Sequence, residues 1–200
     1  MVLKHLIGLF TNPANEWERI RDAGYSTGAC LAGHTLLLAL VPAIASYVGT
    51  TEIGWEVAGT RAVKLTPESA LRIAVLYYGA MVVATFTMGW MIHWMSRTYG
   101  AEQPLSQCVA LATYTATPLF LSGVMQLYPL LWLNLVLGLP VVGYTIYLFY
   151  TGVPIVMRIP PERGFLLSSA VLAFGMVSLV AMLAVTVILW SRGFAPAFTS

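Results

Sequence analysis

The stretch QPLSQCVALATYTATPLFLSGVMQLYPLLWLNLVLGLPVVGYTIYLFYTGVPIVM, Gln103–Met157, decides the fold. It runs for 55 residues without one Asp, Glu, Lys or Arg. Bilayer hydrocarbon is ~30 Å thick, and about 20 helical residues cross it. The stretch is too long for one span and suits two. It divides at Gln126-Leu127-Tyr128-Pro129, where Tyr128 is amphipathic and Pro129 fits the first turn of a new helix. Two helices joined so closely form a hairpin. The run is continuously apolar, unlike the alternating strands of a transmembrane β-barrel.

Three more charge-free stretches flank it: Ala23–Thr51, Ile73–Ser96 and Gly164–Ser191. The spacing predicts five transmembrane helices, about Gly28–Val48, Pro67–Arg97, Pro104–Leu127, Pro129–Gly152 and Phe165–Ser191. The expectation is an all-α integral membrane protein forming one domain over residues 1–200, with residues 1–27 an interfacial segment. Composition agrees. Hydrophobic residues make up 58% and charged residues 9%, against about 25% charged in an ordinary soluble domain. Mean hydropathy is +0.80. Ten basic and eight acidic side chains cannot coat a soluble surface of 200 residues. A water-soluble globule, a disordered chain and a nucleic-acid partner are all excluded. The partner that the composition requires is the lipid bilayer.

Five spans put the termini on opposite sides. Lys4, Arg19, Arg21, Arg97, Arg158 and Arg163 share one side, and Arg61, Lys64, Arg72 and Arg192 the other. This bias points to a cytoplasmic N-terminus and a periplasmic C-terminus. Aromatic belts mark the span ends, with Trp17, Tyr25, Trp90, Trp94 and Tyr150 inside and Tyr47, Trp55, Tyr128, Trp132 and Trp190 outside. Leu6–Phe10 is cut off by Thr11-Asn12-Pro13, too early for a signal-peptide core. The first long apolar segment is expected to act as an uncleaved anchor.

Two short helices are expected before Ala23. Leu3, Leu6, Ile7 and Phe10 recur at helical spacing, with Lys4 and His5 off that stripe. Asn12 caps a second helix with Pro13 at its first position, on which Ala14, Trp17 and Ile20 form an apolar stripe. Both read as surface anchors, with Pro13 and Trp17 seating the helix at the interface, or as docking helices for a partner. Between the first two spans, Ile53, Trp55 and Val57 alternate with Glu52, Gly54 and Glu56. Ala58-Gly59-Thr60 and then Val63 and Leu65 follow, which reads as a short exterior hairpin.

No carboxylate lies deep in an expected span, which argues against carboxylate-coupled transport. Nucleophile elbows, zincin motifs and Walker loops are absent, so no enzyme is expected. Cys30, His34, His93 and Cys108 all fall toward one side of the membrane and are candidates for a soft-metal site. The blander reading prevails: cysteine is a small buried hydrophobe, and His93 sits among Trp90, Trp94 and Arg97 as an interfacial residue does. No metal and no cofactor are expected. The third span carries Thr113-Tyr114-Thr115-Ala116-Thr117-Pro118. Pro118 frees the carbonyl of Tyr114, threonine hydroxyls can satisfy such groups, and Thr113 and Thr117 share a face. These residues read as a helix junction or, alternatively, as the lining of a polar path.

The runs Gly49-Thr50-Thr51-Glu52-Ile53-Gly54-Trp55 and Tyr114-Thr115-Ala116-Thr117-Pro118-Leu119-Phe120-Leu121-Ser122-Gly123 resemble bacterial inner-membrane proteins of the Yip (Ypt-interacting protein) domain family, in its YohC-like branch. Leu127-Tyr128-Pro129-Leu130, the N-terminal Phe10-x-x-Pro13 with Trp17, and Val187-Ile188-Leu189-Trp190 extend the resemblance over nearly the whole chain. It implies five membrane helices and a cytoplasmic N-terminus. Eukaryotic relatives are linked to Rab-type small GTPases, but their Asp-Leu-Tyr-Gly-Pro motif has no match before the first span, which counts against small-GTPase binding. Two functions follow as expectations. One is a non-enzymatic scaffold that organises membrane or partners, a membrane protein or a second copy among them, with Tyr114 and Pro118 as a packing junction. The other is a small-solute channel or transporter with Thr113, Thr117, His34 and His93 facing a polar path.

Overall fold

The computed structural model describes residues 3–55, 63–194 and 196–199. Two short helices, α1 (Leu3–Thr11) and α2 (Pro13–Ala23), precede five helices long and apolar enough to cross a membrane. These are span one (Thr27–Ile53), span two (Pro67–Tyr99), span three (Leu105–Leu127), span four (Leu131–Met157) and span five (Pro161–Gly193). The chain is thus a five-span helical membrane protein.

Local chemistry sets each boundary. Asn12 accepts from the Asn15 amide, Pro13 begins α2, and Gly24, at φ 58°, ends it in the left-handed region that glycine tolerates. Ser26 caps span one through the Ala29 amide and Thr66 caps span two through the Ser69 amide. Span one is not a plain α-helix. Leu31–Thr35 is a π-helical turn, widened by one residue, and it carries His34 and Thr35. Span three breaks at Ala116, because Pro118 has no N–H for the Tyr114 carbonyl. Span four runs on through Pro140 and Pro154 to Met157.

Two expectations need correction. Span one does not stop before an exterior strand: Gly49–Ile53 continues it as a second π-helical turn, so Glu52 and Ile53 are helical. Among the described residues the hairpin shows an antiparallel bridge between Trp55 and Val63, and Leu65 bridges to Phe198 near the C-terminus. The turn at Ala58-Gly59-Thr60, with Glu56, Val57 and Arg61, lies outside the described residues.

The second correction concerns the N-terminal helices. Trp17 was expected in an aromatic belt, but it is fully buried in protein. It lies against Gly152 of span four, where a Cβ would come within 2.7 Å of the indole, so only glycine admits the ring there. Ile20 and Leu9 are buried beside it in the main core. The buried side of α1 is also not the expected one. His5 and Leu9, four residues apart, face the protein, while Ile7 and Phe10 are exposed. An amphipathic stripe says that a face is to be covered, not by what.

The bundle is unevenly packed. Span three is central, with 61% of its apolar stretch buried, against 11% for span two and 6% each for spans four and five. The main core joins α1, α2 and the proximal ends of the spans, the ends that meet Arg21, Gln103 and Arg158. A small second cluster of Leu38, Ala39 and Phe120 lies toward the distal end.

Candidate functional site

The polar groups of the bundle gather where span three passes span one and α1. Because span three is the most buried of the five, hydroxyls on it are screened from water and gain from protein partners. The π-turn of span one supplies them. His34 Nε2 lies 2.8 Å from Thr117 Oγ1. The Thr35 hydroxyl donates to Thr113 Oγ1 over 3.3 Å. All four side chains are buried, and Thr35, Thr113 and Thr117 are wholly inaccessible. Tyr114 stands between two histidines, its ring centroid 4.5 Å from that of His34 and 5.4 Å from that of His5.

His5 extends the cluster toward the N-terminal helices. Its Nδ1 meets the Glu16 carboxylate of α2, and its Nε2 lies 2.8 Å from the Tyr25 hydroxyl. Glu16 is 3% exposed, and Arg19 reaches its second oxygen over 3.2 Å. A buried carboxylate needs such partners, since an unpaired one is costly to desolvate. The polar chain therefore runs Glu16, His5, Tyr114, His34, Thr117, with Tyr25 beside it.

The sequence reading missed His5, Glu16 and Tyr25. His5 and Glu16 sit on different helices, eleven residues apart, so no periodicity links them. The one available signal was His5 itself, an imidazole set among the leucines of α1. Glu16 also qualifies the expectation about carboxylates: it lies in no span, yet it is buried against the bundle.

The four residues considered for metal do not converge. His93 and Cys108 meet, with Sγ 4.0 Å from Nδ1, and His93 Nδ1 also lies 3.1 Å from the Gln103 carbonyl. Cys108 Sγ is 3.9 Å from Met157 Sδ. His34 bonds elsewhere, to Thr117. Cys30 is buried in the main core, and both cysteines are free thiols. Among the described residues, no group of three or more His, Cys, Asp or Glu is placed to hold a metal ion.

Pro13 opens α2 and Trp17 lies four residues on, against span four. Pro118 is buried at the span three break, and Gly123, five residues later, abuts Pro42 of span one so closely that a Cα–Cβ bond there would meet the proline ring. The opposite face of span three borders a separate cavity of ≈ 410 Å³, lined by groups such as Met81, Thr85, Thr115, Phe120, Thr145 and Phe149. Its lining is mainly apolar. Thr85 and Thr145 donate back to the carbonyls of Met81 and Val141 within their own helices, while the buried Thr115 hydroxyl has no partner.

Outside the spans, Arg21 donates to both carboxylate oxygens of Asp22, over 2.7 and 3.2 Å. That contact holds the Asp22 carboxyl below its ordinary range and lifts Arg21 above its own; the Arg158 charge lowers Asp22 further, and the Glu18 charge raises Arg21.

The fold and the cluster together define a class: a polytopic helical membrane protein in which a few intramembrane polar groups bond one another across the contact of spans one and three. The Yip1 domain model matches residues 7–182, and the chain belongs to that family. It is 41% identical over 192 residues to inner membrane protein YohC of Escherichia coli K12, covering 96% of this chain and 98% of the relative. The YohC protein of Escherichia coli O6:H1 matches to the same extent. No solved structure matches the chain. It is accordingly a multi-pass inner-membrane protein of the Yip1 family.

Proposed function

We propose that this protein is a non-enzymatic scaffold of the inner membrane, organising a membrane-protein partner or further copies of itself. One observation carries the reading. Hydroxyls and one imidazole nitrogen that a solute path would present to its lumen are spent on one another, Thr117 on His34 Nε2 and Thr113 on Thr35, while His34 Nδ1 is buried without a partner. Buried hydrogen-bonded groups of this kind hold helices in register. The rival, a small-solute path, would need those groups to turn toward water, and the ≈ 410 Å³ cavity beside span three is lined mainly by apolar groups. The reading also places the N-terminus in the cytoplasm, supported by Arg21, Arg97, Arg158 and Arg163 at one end of the bundle.

The test is site-specific photo-crosslinking in native membranes from exposed positions such as Trp94, Leu135 and Met176. A reproducible protein adduct from at least one face is expected. Lipid adducts alone at every position, together with solute flux in proteoliposomes, would favour the channel instead. A phosphatase domain fused after Thr199 is expected to be active, as a periplasmic one is; an inactive fusion with a stable chain reverses the orientation.

A further inference from the structure

Two of the four residues read as metal candidates meet, and the fold brings a third ligand to them. Cys108 Sγ of span three lies 4.0 Å from His93 Nδ1 of span two and 3.9 Å from the Sδ of Met157, the last residue of span four. Cys108 and Met157 are buried in the main core, and His93 is half-buried. Gln103, in the loop between spans two and three, holds two of the three. Its carbonyl lies 3.1 Å from His93 Nδ1, and its Nε2 donates to the Met157 carbonyl over 3.4 Å. A thiol, a thioether and an imidazole from three spans are thus gathered at the proximal end of the bundle, apart from the contact of His34 with Thr117.

These donors are soft or borderline, and thiolate with thioether sulfur selects copper(I). An ion bonded to two sulfurs at ~2.3 Å, with about 120° between the bonds, sets those atoms about 4 Å apart, as they stand here. Charge points to the same ion. In the apolar core a divalent ion would keep one uncompensated positive charge even after the thiol lost its proton, which is costly. Copper(I) adds none: the Cu–S bond forms, the S–H bond breaks, the proton leaves to water, and no electron moves. Ligation at Nδ1 replaces the hydrogen bond to the Gln103 carbonyl and leaves the ring proton on Nε2. A way in exists as well. His93 lines a cavity of ≈ 490 Å³ with Arg97, Gly100, Glu102 and Pro104, at the loop between spans two and three.

We propose that Cys108, His93 and Met157 form a binding site for one copper(I) ion. The site stands independently of the scaffold reading. The chain, purified in nanodiscs, is loaded with copper(I) under ascorbate and washed with bicinchoninate, a copper(I) chelator. One copper per chain is expected to stay, with two sulfurs and one nitrogen around it by X-ray absorption. Cys108→Ala is expected to lose the copper and Cys30→Ala to keep it. Met157→Leu, close in volume, and His93→Gln are each expected to weaken binding by roughly 10-fold or more, the loss that even a supporting hydrogen bond costs a metal site. No retained copper would overturn the proposal. So would copper kept by Cys108→Ala, which places it elsewhere, or zinc(II) held in preference. If Cys108→Ala fails to fold, the absorption spectrum of the unsubstituted chain decides: a shell without the two sulfurs contradicts the site.

Discussion

The proximal and distal halves of this bundle are built on different terms. In the proximal half, α1 and α2 close over spans one, three and four, and Leu9, Trp17, Ile20, Leu111, Leu148 and Val153 are almost wholly buried. In the distal half, spans four and five are bare. Leu135, Val136 and Leu139 on one, and Val177, Val180 and Leu183 on the other, are more than half exposed. Lipid is as apolar as leucine, so burial of one leucine against another gains little there. The proximal half is a protein core with shape requirements. Spans four and five in the distal half need only be apolar and long, while spans one and three still meet closely there, Gly123 against Pro42.

The largest break in that contrast comes from Trp17. Trp17→Ala is expected to destabilise by ~3–5 kcal/mol, as truncation of a buried aromatic does, and unfolding in mixed micelles reads it. Trp17→Phe keeps a ring and discards an indole N–H that has no partner, so it is expected to cost less than half as much. Leu183→Ala in the distal half is expected to stay within about 0.5 kcal/mol. Equal losses at the two ends would erase the distinction.

Gly152→Val comes next. Its Cβ would stand 2.7 Å from Trp17 and 2.9 Å from Leu111, and overpacking of this kind costs ~1–3 kcal/mol. The paired variant Gly152→Val/Trp17→Phe should recover part of the loss, because both act in one contact. Strict additivity would mean that the two do not touch. A smaller effect is expected for the polar junction. A double-mutant cycle on His34→Leu and Thr117→Val should give a coupling of about 0.6 kcal/mol and no more than about 1.7, the range measured for intramembrane hydrogen bonds. Zero coupling would remove the bond from the account.

The smallest effect belongs to Asp22. Arg21 lowers its carboxyl below the ordinary 3.8, so whatever the pair contributes is present above that value and lost as pH falls through the lowered one. Asp22→Asn should therefore leave the pH dependence of unfolding unchanged between pH 5 and 8 and alter it only in acid. An altered neutral profile would show that Asp22 interacts with more than Arg21.

The contrast also explains what the sequence could tell. Five spans were legible because the bilayer imposes a length, and charge-free runs such as Ile73–Ser96 meet it without reference to any neighbour. The distal parts of spans four and five need nothing more. The proximal half depends on which faces meet, and one-dimensional spacing does not encode that. Trp17 and Ile20 declared an apolar face but not whether lipid or span four would cover it. His5 read as the solvent side of α1 because its partner, Glu16, sits on another helix. The extension of span one through Gly49–Ile53 was hidden by an alternation of Ile53, Trp55 and Val57 that suits a strand as well.

The central claim is that the junction of spans one and three is packed protein and not a lining. Cysteine accessibility at Thr117→Cys, in a background lacking Cys30 and Cys108, tests it most directly in native membranes. The packed junction predicts no reaction with small membrane-impermeant thiol reagents from either side, while an exposed loop position such as Glu102→Cys reacts readily. Rapid modification of Thr117→Cys in the intact membrane would contradict it, for water would then reach the point where His34 and Thr117 meet.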